Sequence, residues 1–264
     1  MDENPVVAGM LATICSAVDQ NRMSLFLQPI VTLPQRKVRY YEAMTRLHND
    51  RDEVVPAADF IAQAQAAGLM AAIDNMAMFR CVQTVRRLLL DDRDIGLFCN
   101  LSTSTLSDNR IFPGLLEFLD ANRAIAPSIM LEFTQHATRQ MSPLETQRLA
   151  ALAERGYRFS LDHVTDLHIE MRELAARGFR FVKIPVALLF DRTKNRAAGE
   201  PCEIAEELKS FGIDLIAERI EGDDAVIDLL DQDVRFGQGF LFSPPRPVRA
   251  EVFGSGIPNV RKMP

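Results

Sequence analysis

Two hydrophobic rhythms run along this chain. Val6 to Asn21 repeats apolar residues at helical spacing. Ser24 to Leu33 and Arg36 to Thr45 read as strands on either side of Leu33-Pro34-Gln35-Arg36. A parallel crossover needs roughly a dozen residues or more, so so short a turn joins antiparallel strands, and the fold opens with a hairpin. Pro56 starts a helix that Gly68 stops after Ala67, and a second helix spans Met70 to Leu90 with an apolar stripe at Ala77, Cys81, Val85 and Leu88. From there strands at Ile95–Leu101, Ser128–Thr134, Tyr157–Asp162, Phe179–Ile184, Ile213–Ala217 and Val234–Phe236 alternate with helices at Gly114–Asn122, Pro143–Arg155, Ile169–Ala176, Glu203–Phe211 and Asp223–Leu230. Ser142-Pro143-Leu144-Glu145 is a capping box with proline at the first helical position, while Gly156, Gly178 and Gly212 end helices.

Six of the eight predicted strands therefore alternate with helices, which implies a mostly parallel sheet. The fold class is α/β: a TIM-like (β/α)8 barrel with an antiparallel first strand, read as a single domain over residues 1–264. An open doubly wound sheet is the alternative, but no strand is followed by a glycine-rich phosphate loop.

Composition narrows the function classes. Apolar residues make up 47% and charged residues 25%, which excludes a disordered or disulfide-dense chain. A net charge of −6 argues against DNA or RNA as a partner. Cys15, Cys81, Cys99 and Cys202 form no CxxC and lie in apolar runs, so they read as small buried hydrophobes in a reducing compartment. Asp2 and Glu3 leave no basic n-region for a signal peptide, and no apolar run reaches the ~18 residues of a membrane helix. The expected location is the cytoplasm, with membrane tethering only through a segment absent from this chain.

The ends of the predicted strands carry the chemistry. Glu42, Asn100, Glu132, Asp162, Lys183 and Glu218 lie at or near strand ends and Gln238 just past the last, over interiors of Val, Ile, Leu and Phe. In a barrel such ends converge on one mouth, where these folds place their sites. Several carboxylates with an amide suit a hard cation, and the lone lysine suits a phosphate or a developing charge.

These residues, in this order, resemble EAL domains, the cyclic di-GMP phosphodiesterase family, over nearly the whole chain. Gln28-Pro29-Ile30 resembles the QPI strand, Glu42-Ala43-Met44 stands where the name motif stands, and Arg46 matches the arginine after it. Asn100-Leu101-Ser102 matches NLS, Glu132-Phe133-Thr134-Gln135 resembles ELTE, and Asp162-His163 takes the place of an Asp-Asp pair. Lys183 matches the lysine of IKID, Glu218 to Glu221 resembles EGVE, and Gln238 to Phe242 resembles QGYLF. The resemblance implies cyclic di-GMP as ligand, held by Gln28, Glu42, Met44, Arg46, Asn100, Lys183, Glu218 and Gln238. It also implies a first magnesium or manganese ion on Glu42, Asn100, Glu132 and Asp162, with Lys183 and Glu218 assisting an attacking water in active members.

The departures from the family pattern fall together. His163 replaces the second Asp, Gln135 the last Glu of ELTE, Pro185 the Asp of IKID, and Arg219 the Gly of EGVE. The loop Val164 to Leu167 lacks the glycines of FGTG, so left-handed backbone there would be strained. Arg219 is left with two readings, reaching a phosphate or filling space beside the altered loop. The preferred function is a non-catalytic cyclic di-GMP receptor that signals through protein contacts, in the manner of regulators of flagellum assembly and motility. The alternatives are a weak phosphodiesterase and a nucleotide-free scaffold. The resemblance implies a homodimer as one assembly, and because that loop couples site to dimer in active members, its alteration here counts against the coupling and against metal binding. His48, His136, His163 and His168 read as loop or surface residues, Met70, Met76 and Met78 as core filler, and Arg36-Lys37 and Arg86-Arg87 as a wet face.

Overall fold

The structure, a computed structural model, describes residues 5–91, 93–191 and 201–248. The acidic N-terminus read from Asp2 and Glu3 lies outside the described residues. The strands are β1 (Met23–Thr32), β2 (Val38–His48), β3 (Val54–Val55), β4 (Gly96–Asn100), β5 (Ile129–Thr134), β6 (Arg158–Asp162), β7 (Phe179–Pro185), β8 (Asp214–Glu218), β9 (Phe236–Gln238) and β10 (Arg246–Pro247). The helices are α1 (Pro5–Asp19), α2 (Ala57–Ala66), α3 (Met70–Leu90), α4 (Thr103–Ser107), α5 (Phe112–Ala121), α6 (Gln135–Arg139), α7 (Pro143–Glu154), α8 (Met171–Ala176), α9 (Val186–Leu189), α10 (Pro201–Ser210) and α11 (Asp223–Asp231).

Eight strands close on themselves in the order β1-β9-β8-β7-β6-β5-β4-β2, and β2 returns to β1. Strand β1 is antiparallel to both of its ring neighbours, and every other ring pair is parallel. The expected barrel with a reversed first strand is therefore the observed one. The short strands β3 and β10 pair outside the ring, on β2 and β1.

Side chains on a strand alternate sides, so each ring strand has an inner and an outer face. Outward residues such as Leu97, Cys99, Leu131, Phe133, Leu161, Val182, Leu215 and Ala217 pack under the helices in the main core. Inward residues Ile30, Phe98, Met130, Phe181, Ile216 and Phe236, with Tyr40, form a separate plug inside the barrel. Its rings meet edge to face, Tyr40 lying 5.3 Å from Phe98 and 5.4 Å from Phe181. A third cluster, including Ile14, Leu47, Phe60 and Met76, seats α1, α2 and part of α3 on the far end of β2.

Several boundaries differ from the sequence reading, for local reasons. Strand β2 begins at Val38 because Arg36 takes a left-handed φ of 52° in the turn. Strand β2 runs on to His48, whose imidazole meets Ser24 Oγ at 2.8 Å across the hairpin. Strand β9 lies two residues later than expected and contains Gly237 and Gln238. Helix α8 starts at Met171 because Asp166 Oδ1 accepts the His168 N–H and turns the chain first. Cys81 and Cys99 are buried as expected, but Cys15 is exposed and Cys202 half-buried, because each sits on the outer side of its helix. Met76 and Met78 are buried, and Met70 is half-buried against the third cluster. Arg86 and Arg87 face water, as do Arg36, paired with Asp223, and Lys37.

Candidate functional site

Two residues beyond the apolar plug, the same strands turn polar. Gln28 on β1, Glu42 on β2, Glu132 on β5, Lys183 on β7 and Gln238 on β9 are all buried. Lys183 is fully enclosed, and its Nζ lies 2.8 Å from Glu42 Oε2 and 2.8 Å from Glu132 Oε1. Gln238 Nε2 donates to Glu42 Oε2 at 2.6 Å and to Gln28 Oε1 at 3.1 Å. Gln28 Nε2 donates in turn to the Ser243 carbonyl. Five side chains from separate strands thus form one network around a single ammonium. Burial pushes the pKa of that ammonium down, but the charges of Glu132, Glu42 and Asp162 outweigh it and hold Lys183 protonated. Glu132 is the group under most stress. Burial pushes its carboxyl pKa well up against the opposing charge of Lys183, which holds Oε1, while Oε2 has no hydrogen-bond partner.

One layer further out lies the rim. Asp162 ends β6, and its Oδ2 accepts from His163 Nδ1 at 2.7 Å. Burial would raise the Asp162 pKa, but the His163 hydrogen bond and the Lys183 charge hold it down at about 2. That same hydrogen bond raises the pKa of His163, whose side chain is 64% exposed. Glu218 ends β8 with its side chain 14% exposed, and burial, then the Asp162 charge, push its pKa up to about 7. Arg219 Nε lies 3.7 Å from Glu218 Oε1, and its side chain is 68% exposed, so it fills no internal space. Asn100 is the exposed end of β4, opposite Glu132 in register. Arg46, farther out on β2, lies over the Phe26 ring at 5.3 Å and beside the Met44 sulfur, with Nη1 donating to the Thr45 carbonyl.

The left-handed strain expected in Val164 to Leu167 lies elsewhere. Those four residues are absent from the positive-φ set, whereas His163 (50°) and Arg219 (61°) are in it. Gln135 explains how the loop holds its shape without glycine. Its Oε1 accepts from Thr165 N at 2.9 Å and Thr165 Oγ1 at 3.1 Å, and its Nε2 donates to the Asp166 carbonyl at 2.8 Å. Arg139 grips the Asp166 carboxylate with both Nη atoms, at 2.6 and 2.7 Å. Gln135 is thus more than a lost charge, since only an amide both gives and takes in this way.

The sequence reading missed two further groups. Asp74, buried on α3, accepts from Ser102 N, Ser102 Oγ and Thr105 Oγ1 at 2.8, 2.6 and 2.6 Å and fixes the loop after Asn100. An acid at a helical position shared with Met70, Ala77, Met78 and Cys81 was its visible signal. Phe240, 65% exposed just past Gln238, is the second. It follows Gly239, where a Cβ would lie 2.0 Å from the Ile220 carbonyl oxygen, so only glycine lets the two loops meet.

For a metal, the donors agree in kind with a hard divalent cation: carboxylates of Glu42, Glu132 and Asp162, and the Asn100 amide. Glu132 Oε2, the oxygen not held by Lys183, suits a first ion. Among the described residues no three His, Cys, Asp or Glu side chains are gathered as a ready metal-binding group. A second ion fits poorly, because His163 offers Asp162 a hydrogen-bonded ring where a bridging carboxylate would be needed.

A closed, mostly parallel barrel whose ionisable groups gather at the C-terminal ends of its strands defines a (β/α)8-type barrel with a binding mouth. More particularly, the chain belongs to the EAL domain family, whose pattern matches residues 12–245. It is 23% identical over 236 residues to the cyclic di-GMP phosphodiesterase PdeR of Escherichia coli K12, covering 89% of this chain and 35% of that protein. It is 22% identical over 238 residues to the cyclic di-GMP phosphodiesterase PdeL of the same organism, covering 89% and 65%. The chain therefore spans about a third of the length of PdeR. Among solved structures it resembles the FimX EAL domain of Pseudomonas aeruginosa bound to c-di-GMP, with a TM-score of 0.74 at 22% identity over 90% of this chain and 96% of that one. The PaMucR phosphodiesterase in complex with c-di-GMP gives 0.76 at 21% identity, covering 92% and 98%. These likenesses establish the fold. Among the described residues no helix is long and apolar enough to cross a membrane.

Proposed function

We propose that this chain is a receptor that binds cyclic di-GMP across the barrel mouth with little or no hydrolysis. Its output runs through protein contacts, with flagellum assembly and motility as the process the family resemblance suggests. The observation that carries this reading is the His163–Asp162 pair. The residue after Asp162 points an imidazole nitrogen at the carboxylate, 2.7 Å away, instead of adding a second carboxylate. Lys183 pairs with both Glu42 and Glu132, and Arg46 and Arg219 supply positive charge around the rim. The mouth therefore suits a phosphodiester ligand without needing two dications. Arg46 offers paired donors to a phosphate oxygen, and Phe240 offers an exposed ring to a base. Gln28 and Gln238 hold Glu42 in place beneath.

The weak phosphodiesterase is supported by one specific observation, the pKa of about 7 at Glu218. A carboxylate so poised can take a proton from water near neutral pH. A magnesium or manganese ion on Glu42, Asn100, Glu132 and Asp162 would polarise a phosphoryl oxygen. Lys183 would then orient those acids from below, and Arg46 would hold the substrate's phosphate.

Calorimetric titration with cyclic di-GMP, in EDTA and in magnesium, decides between these readings. The receptor binds in both, and Arg46→Ala weakens binding roughly ten- to a hundred-fold, as for a lost hydrogen bond to a charged group. Incubation with magnesium or manganese yields no linear dinucleotide. Turnover of ~1 per second or faster would establish the enzyme instead. Absence of binding in both buffers would leave the scaffold.

A further inference from the structure

The opposite end of the barrel is where this fold usually shows only packing. Here a cavity of about 270 Å³ opens among the N-terminal ends of β2, β4, β5, β6 and β7. Tyr40, Met130 and Phe181, from the underside of the apolar plug, line it. Around them stand three arginines, Arg39, Arg158 and Arg180.

The charges lining this cavity do not balance. Arg39 pairs with Asp94 at 3.6 Å, and the nearby Arg235 with Asp214 at 2.6 Å. Arg158 and Arg180 donate only to backbone carbonyls, those of Gly156 and Tyr157 and those of Ala175 and Phe179. Among the described residues neither has a carboxylate partner. On the cavity wall three guanidiniums, Arg39, Arg158 and Arg180, thus meet one carboxylate, Asp94, a surplus of two. Arg180 is half-buried, and burial together with the charge of Arg158 pushes its pKa down. Two like charges drawn to one cavity cost stability unless an anion joins them.

The backbone supports the same arrangement. The β6–β7 ladder steps from Phe159–Phe179 to Ser160–Phe181, leaving Arg180 as the extra residue of a bulge. The bulge puts Phe179 in the outer core and Phe181 in the inner plug, and it turns Arg180 to the cavity. A regular strand could not do all three. Gly96 on the wall has no room for a side chain, since a Cβ there would lie 2.8 Å from the Tyr40 ring.

We infer that this basal cavity is a second binding site, for a small phosphate monoester, held by the guanidinium forks of Arg158 and Arg180 with Arg39 at its rim. A surplus of two positive charges matches a dianion, and planar forks match phosphate oxygens. The apolar floor takes a compact body attached to the phosphate. The volume lies just under the ~300 Å³ at which pockets for drug-sized ligands begin, so a whole dinucleotide is too large.

The probe is inorganic phosphate, titrated into the whole chain by calorimetry at constant ionic strength, with acetate as the singly charged comparison. Saturable phosphate binding is expected, with acetate weaker by at least ten-fold. Arg158→Gln, on an exposed side chain bonded only to carbonyls, should weaken phosphate about ten-fold or more. Arg180→Lys keeps the charge, loses the fork and should weaken it by a similar factor. Arg110→Gln, at an exposed site elsewhere, should change nothing. Loss of affinity in the first two variants, with native melting curves, supports the site. Equal binding of phosphate and acetate, unchanged affinity in both variants, or no saturable binding overturns it. None of these outcomes depends on whether the mouth binds cyclic di-GMP.

Discussion

Two layers inside the barrel come from the same strands and sit two residues apart, yet they are held by different physics. The lower one, Tyr40, Phe98, Met130, Phe181, Ile216 and Phe236, is a dry plug. The upper one, Gln28, Glu42, Glu132, Lys183 and Gln238, is organised around one charge. Contacts in the plug are many and individually weak, so losing one methyl group is absorbed locally. In the polar layer each group is satisfied by few others, so removing the central one strands its partners. The barrel supplies geometry to both, and only the chemistry of alternate positions separates a filler from a site.

The largest effect should come from Lys183→Met. It leaves Glu42 and Glu132 buried without their cation and should cost about 3–5 kcal/mol at pH 8 in urea denaturation. Glu132 already has a raised pKa, so it protonates in the variant, and the cost should shrink at pH 5. A cost that is the same at both pH values would mean that the polar layer is held by packing after all.

Glu218→Gln should act the other way. The folded pKa of about 7 exceeds the ordinary 4.5, so the folded state binds more protons between those values. Wild-type stability therefore falls as pH rises through that window and stays lower above it. The glutamine variant escapes this fall and should be more stable than wild type by roughly 1–3 kcal/mol at pH 8, and equal to it at pH 4. A constant difference across that range would contradict the burial argument.

Gln135→Glu tests whether order in the polar layer reaches the loop above it. The carboxylate keeps the acceptor for Thr165 but cannot donate to the Asp166 carbonyl. A loss of about 1–2 kcal/mol is expected. Faster amide exchange at residues 164–168 should accompany it, and unchanged exchange would show that Arg139 alone holds the loop.

Ile216→Val, in the plug, should cost only about 0.5–1.5 kcal/mol, the same at pH 5 and pH 8. A pH-dependent loss here would erase the distinction between the layers.

Much of this was legible before any coordinates. The short turn at Pro34 forced the reversed first strand, and the βα alternation implied the parallel ring. Polar residues at successive strand ends marked the mouth. Pairing across the ring was not legible, because Lys183 and Glu42 lie 141 residues apart and no local pattern encodes register at that distance. Asp74 was hidden because a single acid in an apolar helix resembles noise until its partners Ser102 and Thr105 are known. Strand β9 was misplaced because Gly237 weakens a strand by propensity, while in the ring a Cβ there would meet Ile220 at 2.7 Å. The loop strain was assigned to the wrong residues because missing glycines reveal a demand without showing where the backbone meets it.

The seam between β1 and β9 has a consequence for how the protein is made. Gln28 and Gln238, which meet in the polar layer, are separated by 210 residues. At roughly 5–20 residues per second, the ribosome takes on the order of 10–40 s to travel from one to the other. Throughout that time β1 has only one of its two ring neighbours, and its other edge lies open to any passing strand. The mouth therefore comes into being last, at the moment the cylinder shuts. A nascent chain stalled before Gln238 would carry every carboxylate of the network and none of its final order.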